Sequence, residues 1–330
     1  TYHPLIMGET WYTREEAETS EEYGQIPENR EIEDLIEKGL FLVDKPFGPT
    51  SKQVSTWIKK EIDLKKTGHF GTLDPNASGL LPVGLNQGTR INQALAEAEK
   101  EYIFEVELRD EREKKKIIEE LEKFKGVNKQ VPPQKSAVKR EEREREVYEI
   151  EFLEKDEQYF LARVRCESGF YVRVLVDELG EKLETDADME ELRRTRQGLL
   201  EEEEADTLQD IVDAYHFYKQ DGKEEELREV LYPIEKAVNH LPKIAIKDSA
   251  VNAVANGSNL GAVGISKFQD GIQEGDRVAI TTLKGELVAL ATAQMNSEQL
   301  YDEEGEAAVL ENVYMDPDTY PKRWKQDENQ

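Results

Sequence analysis

Residues 68–90 read GHFGTLDPNASGLLPVGLNQGTR, and they decide how the rest of the chain is arranged. Glycines 68, 71, 79, 84 and 88 with prolines 75 and 82 exclude a long regular helix and bracket a single acid, Asp74. Pro75 biases Asp74 toward an extended backbone, so the carboxylate is held out from the chain rather than folded onto a helix N-terminus. Asp-Pro and Ser-Gly pairs are also ordinary turn punctuation. On these residues alone, a plain turn competes with a catalytic loop.

Working outward, residues 39–43 form a short apolar strand. Residues 51–62 read as a helix with Val54, Trp57, Ile58 and Ile62 on one face, capped by Thr50 or Ser51. Beyond the central stretch, residues 91–98 fit a short helix. Residues 102–108 alternate: Tyr102, Phe104, Val106 and Leu108 face one way, Glu105 and Glu107 the other, as in a half-buried strand. A helix over 114–125 runs through Ile117, Leu121 and Phe124 and closes at Gly126. Strands 148–152 and 160–164 make a hairpin turning at 155–158, and a helix over 171–183 points Val172, Leu175, Val176 and Leu179 inward. Sheet and helix mixed without regular alternation predict an α+β fold. From residue 241 the texture changes to short β runs at 244–246, 264–267, 277–282 and 287–291, the grammar of a small barrel.

A chain of 330 residues has room for one large and one small domain. Its net charge of −28 argues on its face against a nucleic-acid partner. Distribution matters more: acids gather at 15–22, 201–206, 224–229 and 302–311, a pattern that fits a salt-adapted surface, whereas lysines 45, 52, 59, 60, 65 and 66 precede the central stretch. One cysteine, Cys166, excludes an intrachain disulfide and a cysteine-cluster metal site, and the four histidines show no ligand spacing. No metal or other cofactor is expected. No apolar run reaches membrane length, so a soluble, cytoplasmic protein is expected. Residues 1–38 are polar and acidic and should fold poorly alone.

Gly68-His69-x-Gly71-Thr72-Leu73-Asp74-Pro75 followed by Ser78-Gly79-Leu80-Leu81-Pro82-Val83 resembles the catalytic motif of the TruB/dyskerin family of pseudouridine synthases. Further matches follow in the family's order: Val43-Asp44-Lys45-Pro46, Lys100-Glu101-Tyr102, Ser136-Ala137-Val138-Lys139-Arg140, Gly169-Phe170-Tyr171-Val172-Arg173 and Glu191-Leu192-Arg193-Arg194-Thr195-Arg196. Leu241-Pro242-Lys243 and Gly275-Asp276-Arg277-Val278 resemble PUA domains, which are RNA-binding pseudobarrels. Within the family the resemblance is to the branch that serves archaeal H/ACA guide ribonucleoproteins. It implies an extension over 1–38 packed on the PUA domain, a catalytic domain over 39–238, a PUA domain over 239–325 and a tail over 326–330. The implied reaction is RNA-guided conversion of uridine to pseudouridine in rRNA, with tRNA left open as a second target. The nearest alternatives are a stand-alone tRNA TΨC-loop synthase and a noncatalytic RNA-binding scaffold.

Detaching uracil from C1′ and rejoining it through C5 exchanges nothing with a cofactor. It needs a carboxylate at the sugar–base junction, something to aim it, a flat surface for the flipped base and a basic path for the backbone. By the resemblance Asp74 is the catalytic acid, Arg173 the arginine that pairs with it, and Tyr102 the active-site aromatic, although periodicity alone puts Tyr102 in the core beside Phe104. Leu192 matches the apolar contact beneath the base, in a segment that also fits a packed helix. His69 lies near RNA in the family, and Lys45 supports the pocket. Lys139, Arg140 and Arg143 belong to a basic flap over the substrate RNA, here interleaved with acids as Arg140-Glu-Glu-Arg-Glu-Arg-Glu146, which weakens its grip on phosphate. Lys243, Lys247 and Lys267 are the RNA-binding candidates of the barrel. Implied partners are a guide RNA, the target RNA, a small zinc-ribbon-like H/ACA protein, a Gar-type protein and a kink-turn-binding protein.

Overall fold

A computed structural model describes residues 10–132 and 141–322. The described residues divide into two compact units, one spanning Ile36–Leu231 and the other combining the chain up to Leu35 with the chain from Tyr232 onward. Among them no helix is long and apolar enough to cross a membrane.

The Ile36–Leu231 unit is built on a mixed, mainly antiparallel sheet whose strands run in the order Gly39–Lys45, Ser78–Leu85, Ala187–Gln197, Lys100–Leu108, Tyr159–Cys166, Arg143–Asp156 and Gly126–Gln130. The eight residues Ser78–Leu85 are a central strand that their glycine and proline content concealed. Pro82 is tolerated there because it sits opposite Leu42, between the part of the strand flanked by Arg193 and Arg194 and the part flanked by Thr67–His69. Gly79 is needed at φ +96° because the parallel neighbour approaches so closely that a Cβ would stand 2.3 Å from the Arg194 carbonyl oxygen.

Lys100–Leu108 alternates between buried and half-buried positions from end to end, and the hairpin turns at Glu157, whose φ is +49°. The helix Val172–Leu183 buries Val172, Leu175, Val176, Leu179 and Leu183 as its periodicity predicts. The helix Ser51–Glu61 carries a capping box from Thr50 and Gln53, but its inward stripe is Ser51, Val54, Ser55 and Ile58. Trp57, expected inward, is 40% exposed, because it lies about 100° round the helix from Ile58. Residues 86–91 form a 3-10 turn before the short helix Asn92–Ala96, a later start than the 91–98 expected. The segment around Leu192 is a strand rather than a helix, since it is paired along its length with Lys100–Leu108.

The second unit holds a seven-stranded sheet in the order Trp11–Thr13, Ile265–Gln269, Lys243–Ile246, Arg277–Thr282, Leu287–Ala293, Glu306–Val313 and Leu260–Gly261. It wraps a core that includes Ile244, Ile246, Val251, Phe268, Ile280, Val288 and Leu300. Residues of the N-terminal extension complete it: Trp11–Thr13 is an edge strand pairing antiparallel with Lys267–Gln269. A polar segment with no core of its own is thus ordered by a sheet edge that supplies its backbone partners.

Candidate active site

Asp74 opens a tight turn in which the Ala77 amide donates to the Asp74 carbonyl (3.1 Å), with Pro75 at the position whose fixed φ favours such a turn. Three buried groups hold it from beneath. The Ser51 hydroxyl donates to the Leu73 carbonyl (2.8 Å) and accepts from the Leu73 amide (2.9 Å). The Lys45 ammonium, fully buried, donates to the carbonyls of Ala77 (2.6 Å) and Pro46 (3.0 Å). Arg194, also fully buried, donates through Nε to the Leu80 carbonyl and through Nη2 to the Gly71 carbonyl, each at 2.8 Å. The Gly48 amide joins the neighbouring loop to the Pro75 carbonyl at 2.8 Å. The turn is therefore rigid while the Asp74 side chain remains 61% exposed.

Arg173 Nη2 reaches Asp74 Oδ2 at 3.2 Å, so the structure brings the predicted pair together. At this exposure the contact directs the carboxylate more than it stabilises the fold. The helix that carries Arg173 is itself fixed at its start. The buried Gln130 side chain accepts from the Tyr171 amide (2.9 Å) and donates to the Tyr171 carbonyl (3.1 Å). Lys100 donates to the carbonyls of Ala96 (2.8 Å) and Ala98 (2.6 Å) and to the Ser168 hydroxyl (3.1 Å). Burial pushes Lys100 down to about 7, against which its three acceptors favour the ammonium form.

Tyr102 and Arg194 stand opposite each other on paired strands, as do Phe104 and Leu192, so all four share one face beneath the Asp74 turn. Tyr102 is 9% exposed, and burial raises its phenol above the ordinary value while the Arg194 guanidinium opposes that rise. Arg194 is held down by burial, with Tyr102 as the charge-stabilising neighbour; its Nη1 has no acceptor in hydrogen-bonding geometry among the described residues. Gly71, at φ +81°, leaves the space that this nitrogen and the Gln197 amide occupy, 3.1 Å from where a Cβ would be. His69 Nε2 lies 3.2 Å from the Thr72 hydroxyl, and burial followed by Arg194 lowers its imidazole. Burial lowers Lys45 as well, offset by Asp74.

Arg194, Gln197, Lys100 and Gln130 were given no role by the sequence reading, and Ser51 only that of a candidate helix cap. Arg194 could have been found by treating 191–196 as a strand: alternation then places Leu192 and Arg194 on the inward face and Arg193 outward, where it pairs with Asp44 at 3.0 Å.

The other candidates are dispersed. Arg143 begins the strand Arg143–Asp156, on which Arg145 pairs with Glu167 at 3.3 Å, while Lys139 and Arg140 lie outside the described residues. In the second unit, Lys243 Nζ donates to Asn239 Oδ1 (2.9 Å), Lys247 pairs with Glu15, and Lys267 lies over the Trp11 ring, 5.2 Å from its centroid. The barrel lysines are thus engaged inside their own unit, two of them by the N-terminal extension. That extension is also held by Lys284, which donates to the carbonyls of Ser20 (2.8 Å), Tyr23 and Gly24 (3.2 Å). Buried Glu286 accepts from the Tyr320 hydroxyl (2.6 Å), the Thr282 hydroxyl (3.0 Å) and the Gln25 amide (3.1 Å). Arg30 makes a bidentate pair with Glu235, both contacts at 2.8 Å.

Residues 59–172 match the TruB family pseudouridylate synthase N-terminal domain, and residues 173–239 match the tRNA pseudouridylate synthase B C-terminal domain. A PUA domain matches 242–312 and a DKCLD (NUC011) domain 5–55. The chain is 47% identical to a probable tRNA pseudouridine synthase B of Methanocaldococcus jannaschii, over 94% of this chain and 93% of the relative. It is 50% identical to that of Pyrococcus horikoshii, over 97% and 96%. Among solved structures it is similar to a chain of a Cbf5-Nop10-Gar1 complex, with TM-score 0.92, 48% identity and coverage of 97% and 98%. It is likewise similar to a chain of an H/ACA RNP bound to a substrate RNA containing 2′-deoxyuridine, with TM-score 0.91, 45% identity and coverage of 98% and 100%. The chain belongs to the TruB family of pseudouridylate synthases.

Proposed function

We propose that this pseudouridine synthase is the catalytic subunit of an H/ACA-type guide ribonucleoprotein that isomerises uridine in rRNA or tRNA. The observation that carries the catalytic reading is the exposed Asp74 carboxylate aimed by Arg173 at 3.2 Å from a turn that Ser51, Lys45 and Arg194 hold rigid. In the reaction the N1–C1′ bond breaks and a C5–C1′ bond forms. The proton on C5 leaves and N1 takes one up, so no outside oxidant or reductant enters. Asp74 acts at the sugar–base junction. Tyr102, its phenol kept protonated by burial, and Leu192 offer the flat and apolar surfaces on which the detached base turns.

Full-length likeness to chains of a Cbf5-Nop10-Gar1 complex and of an H/ACA RNP supports the guided form, with a guide RNA, Nop10-like and Gar1-like proteins and a kink-turn-binding protein as partners. A stand-alone tRNA synthase is the second reading, favoured by what the curated relatives are called. Assaying the purified chain on a guide–target pair and on bare tRNA, with and without the partner proteins, separates them. Turnover that needs guide and partners is expected; equal turnover on bare tRNA without them supports the second reading.

A further inference from the structure

Beside the Asp74 turn the Ile36–Leu231 unit carries an open groove of about 660 Å³ lined by Lys52, Ser55, Thr56 and Lys59 on one wall and by residues 65–69, 71 and 72 with Asn92 and Ala96 around it. Residues 52, 55, 56 and 59 recur at helical spacing, so the helix Ser51–Glu61 turns one polar stripe into the groove. The facing segment is pinned. The Asn86 side-chain oxygen accepts from the amides of Lys65 and Lys66, both at 3.1 Å, and the Thr67 hydroxyl donates to the Ser55 carbonyl at 2.8 Å.

Two features set these cations apart. In a chain with 72 acids against 44 lysines and arginines, Lys52, Lys59, Lys65 and Lys66 enter no ion pair among the described residues, although most basic groups named above have found a partner. Lys52 also stands in the first turn of its helix, where the helix dipole disfavours a cation, and no acid accompanies it there. The placement works against helix stability, and a ligand that supplies negative charge would offset it.

Resting on the proposed reaction, we infer that this groove is a phosphate track for the target RNA strand beside the uridine being modified. The guide strand is not its occupant. Thr72 lines the groove and lies two residues before Asp74, at most about 7 Å along the chain. The phosphates that fall so close to the acid are those covalently joined to the flipped nucleotide, which belong to the target. His69 and Thr72 mark the end of the groove where that nucleotide leaves the track.

The test uses the full chain assembled with guide RNA and partner proteins, and compares wild type with the K52Q/K59Q/K65Q/K66Q variant. Affinity for the target, and separately for the guide, is measured by fluorescence anisotropy across a potassium chloride series. Each phosphate contact to single-stranded RNA contributes about 0.7 to the slope of log affinity against log salt, so removing four flattens the target slope by about 3. The guide slope keeps its wild-type value, the loss in turnover falls on KM, and the Lys→Arg version of all four positions restores the slope. Should the quadruple variant fail to fold by thermal melt, the single changes Lys59→Gln and Lys66→Gln each flatten the target slope by about 0.7. An unchanged target slope, or flattening confined to the guide, overturns the inference. Because the deciding readouts are the binding slopes, they are separate from the question of whether wild type forms pseudouridine, on which the functional reading stands or falls.

Discussion

In the unit from Tyr232 onward, Lys247, Lys267 and Lys284 each meet residues of the N-terminal extension, whereas Lys52, Lys59, Lys65 and Lys66 of the other unit meet no carboxylate among the described residues. The side chains are the same; what surrounds them differs. By the family resemblance the barrel lysines are the named RNA-binding candidates, while lysines 52, 59, 65 and 66 draw notice only as a basic stretch before the central motif. Pairing reverses the ranking, because a lysine already neutralised by Glu15 must give up that contact before it can bind phosphate, while an unpaired one releases counterions at once. In a strongly acidic protein, the cations to follow are those the acids have not reached.

The comparison also separates two uses of buried charge, and the largest expected effect lies there. Arg194→Met leaves the Gly71 and Leu80 carbonyls unpaired, at about 1–3 kcal/mol each, and frees the turn that presents Asp74. Both melting temperature and turnover should fall sharply. Arg194→Lys should recover little, because an ammonium lacks the planar fork that spans two carbonyls. Wild-type melting and turnover in Arg194→Met would remove it as the support of the site.

A smaller effect is expected from Glu286→Gln in the other unit. The amide keeps the volume but turns a donor toward the hydroxyls of Tyr320 and Thr282, at a cost of about 1–3 kcal/mol. Hydrogen exchange at residues 20–25 should accelerate while turnover of a saturating target changes much less. Gly24 explains why the segment is so closely fitted: at φ +63° its missing Cβ would lie 2.3 Å from Glu286 Oε2. If exchange at 20–25 is unaltered, the extension is held by something other than this carboxylate.

Legibility in the sequence followed the same physics. The alternation of 102–108 and the inward stripe of the helix carrying Arg173 were readable because each has one buried face. So was the nearness of Asp74 to Arg173, through the family motif. Ser78–Leu85 escaped because its two glycines and Pro82 are set by close neighbours, Arg194 and Phe70 among them, that are distant in sequence. Arg194 escaped because a charged residue at an inward strand position is visible only once Gly71 and Leu80 are known to present their carbonyls to it. The fate of Lys247 and Lys267 depended on a sheet edge recruiting residues 11–13, which no local pattern announces.

The central claim is that Asp74, aimed by Arg173, performs the isomerisation. It is tested most directly by tritium release from a target carrying [5-³H]uridine, using assembled particles with wild-type chain and with Asp74→Asn, a change that removes the carboxylate at nearly constant volume. The account predicts that Asp74→Asn binds guide and target with near wild-type affinity and that release falls by at least about 100-fold. Tritium release at a rate comparable to wild type would contradict it.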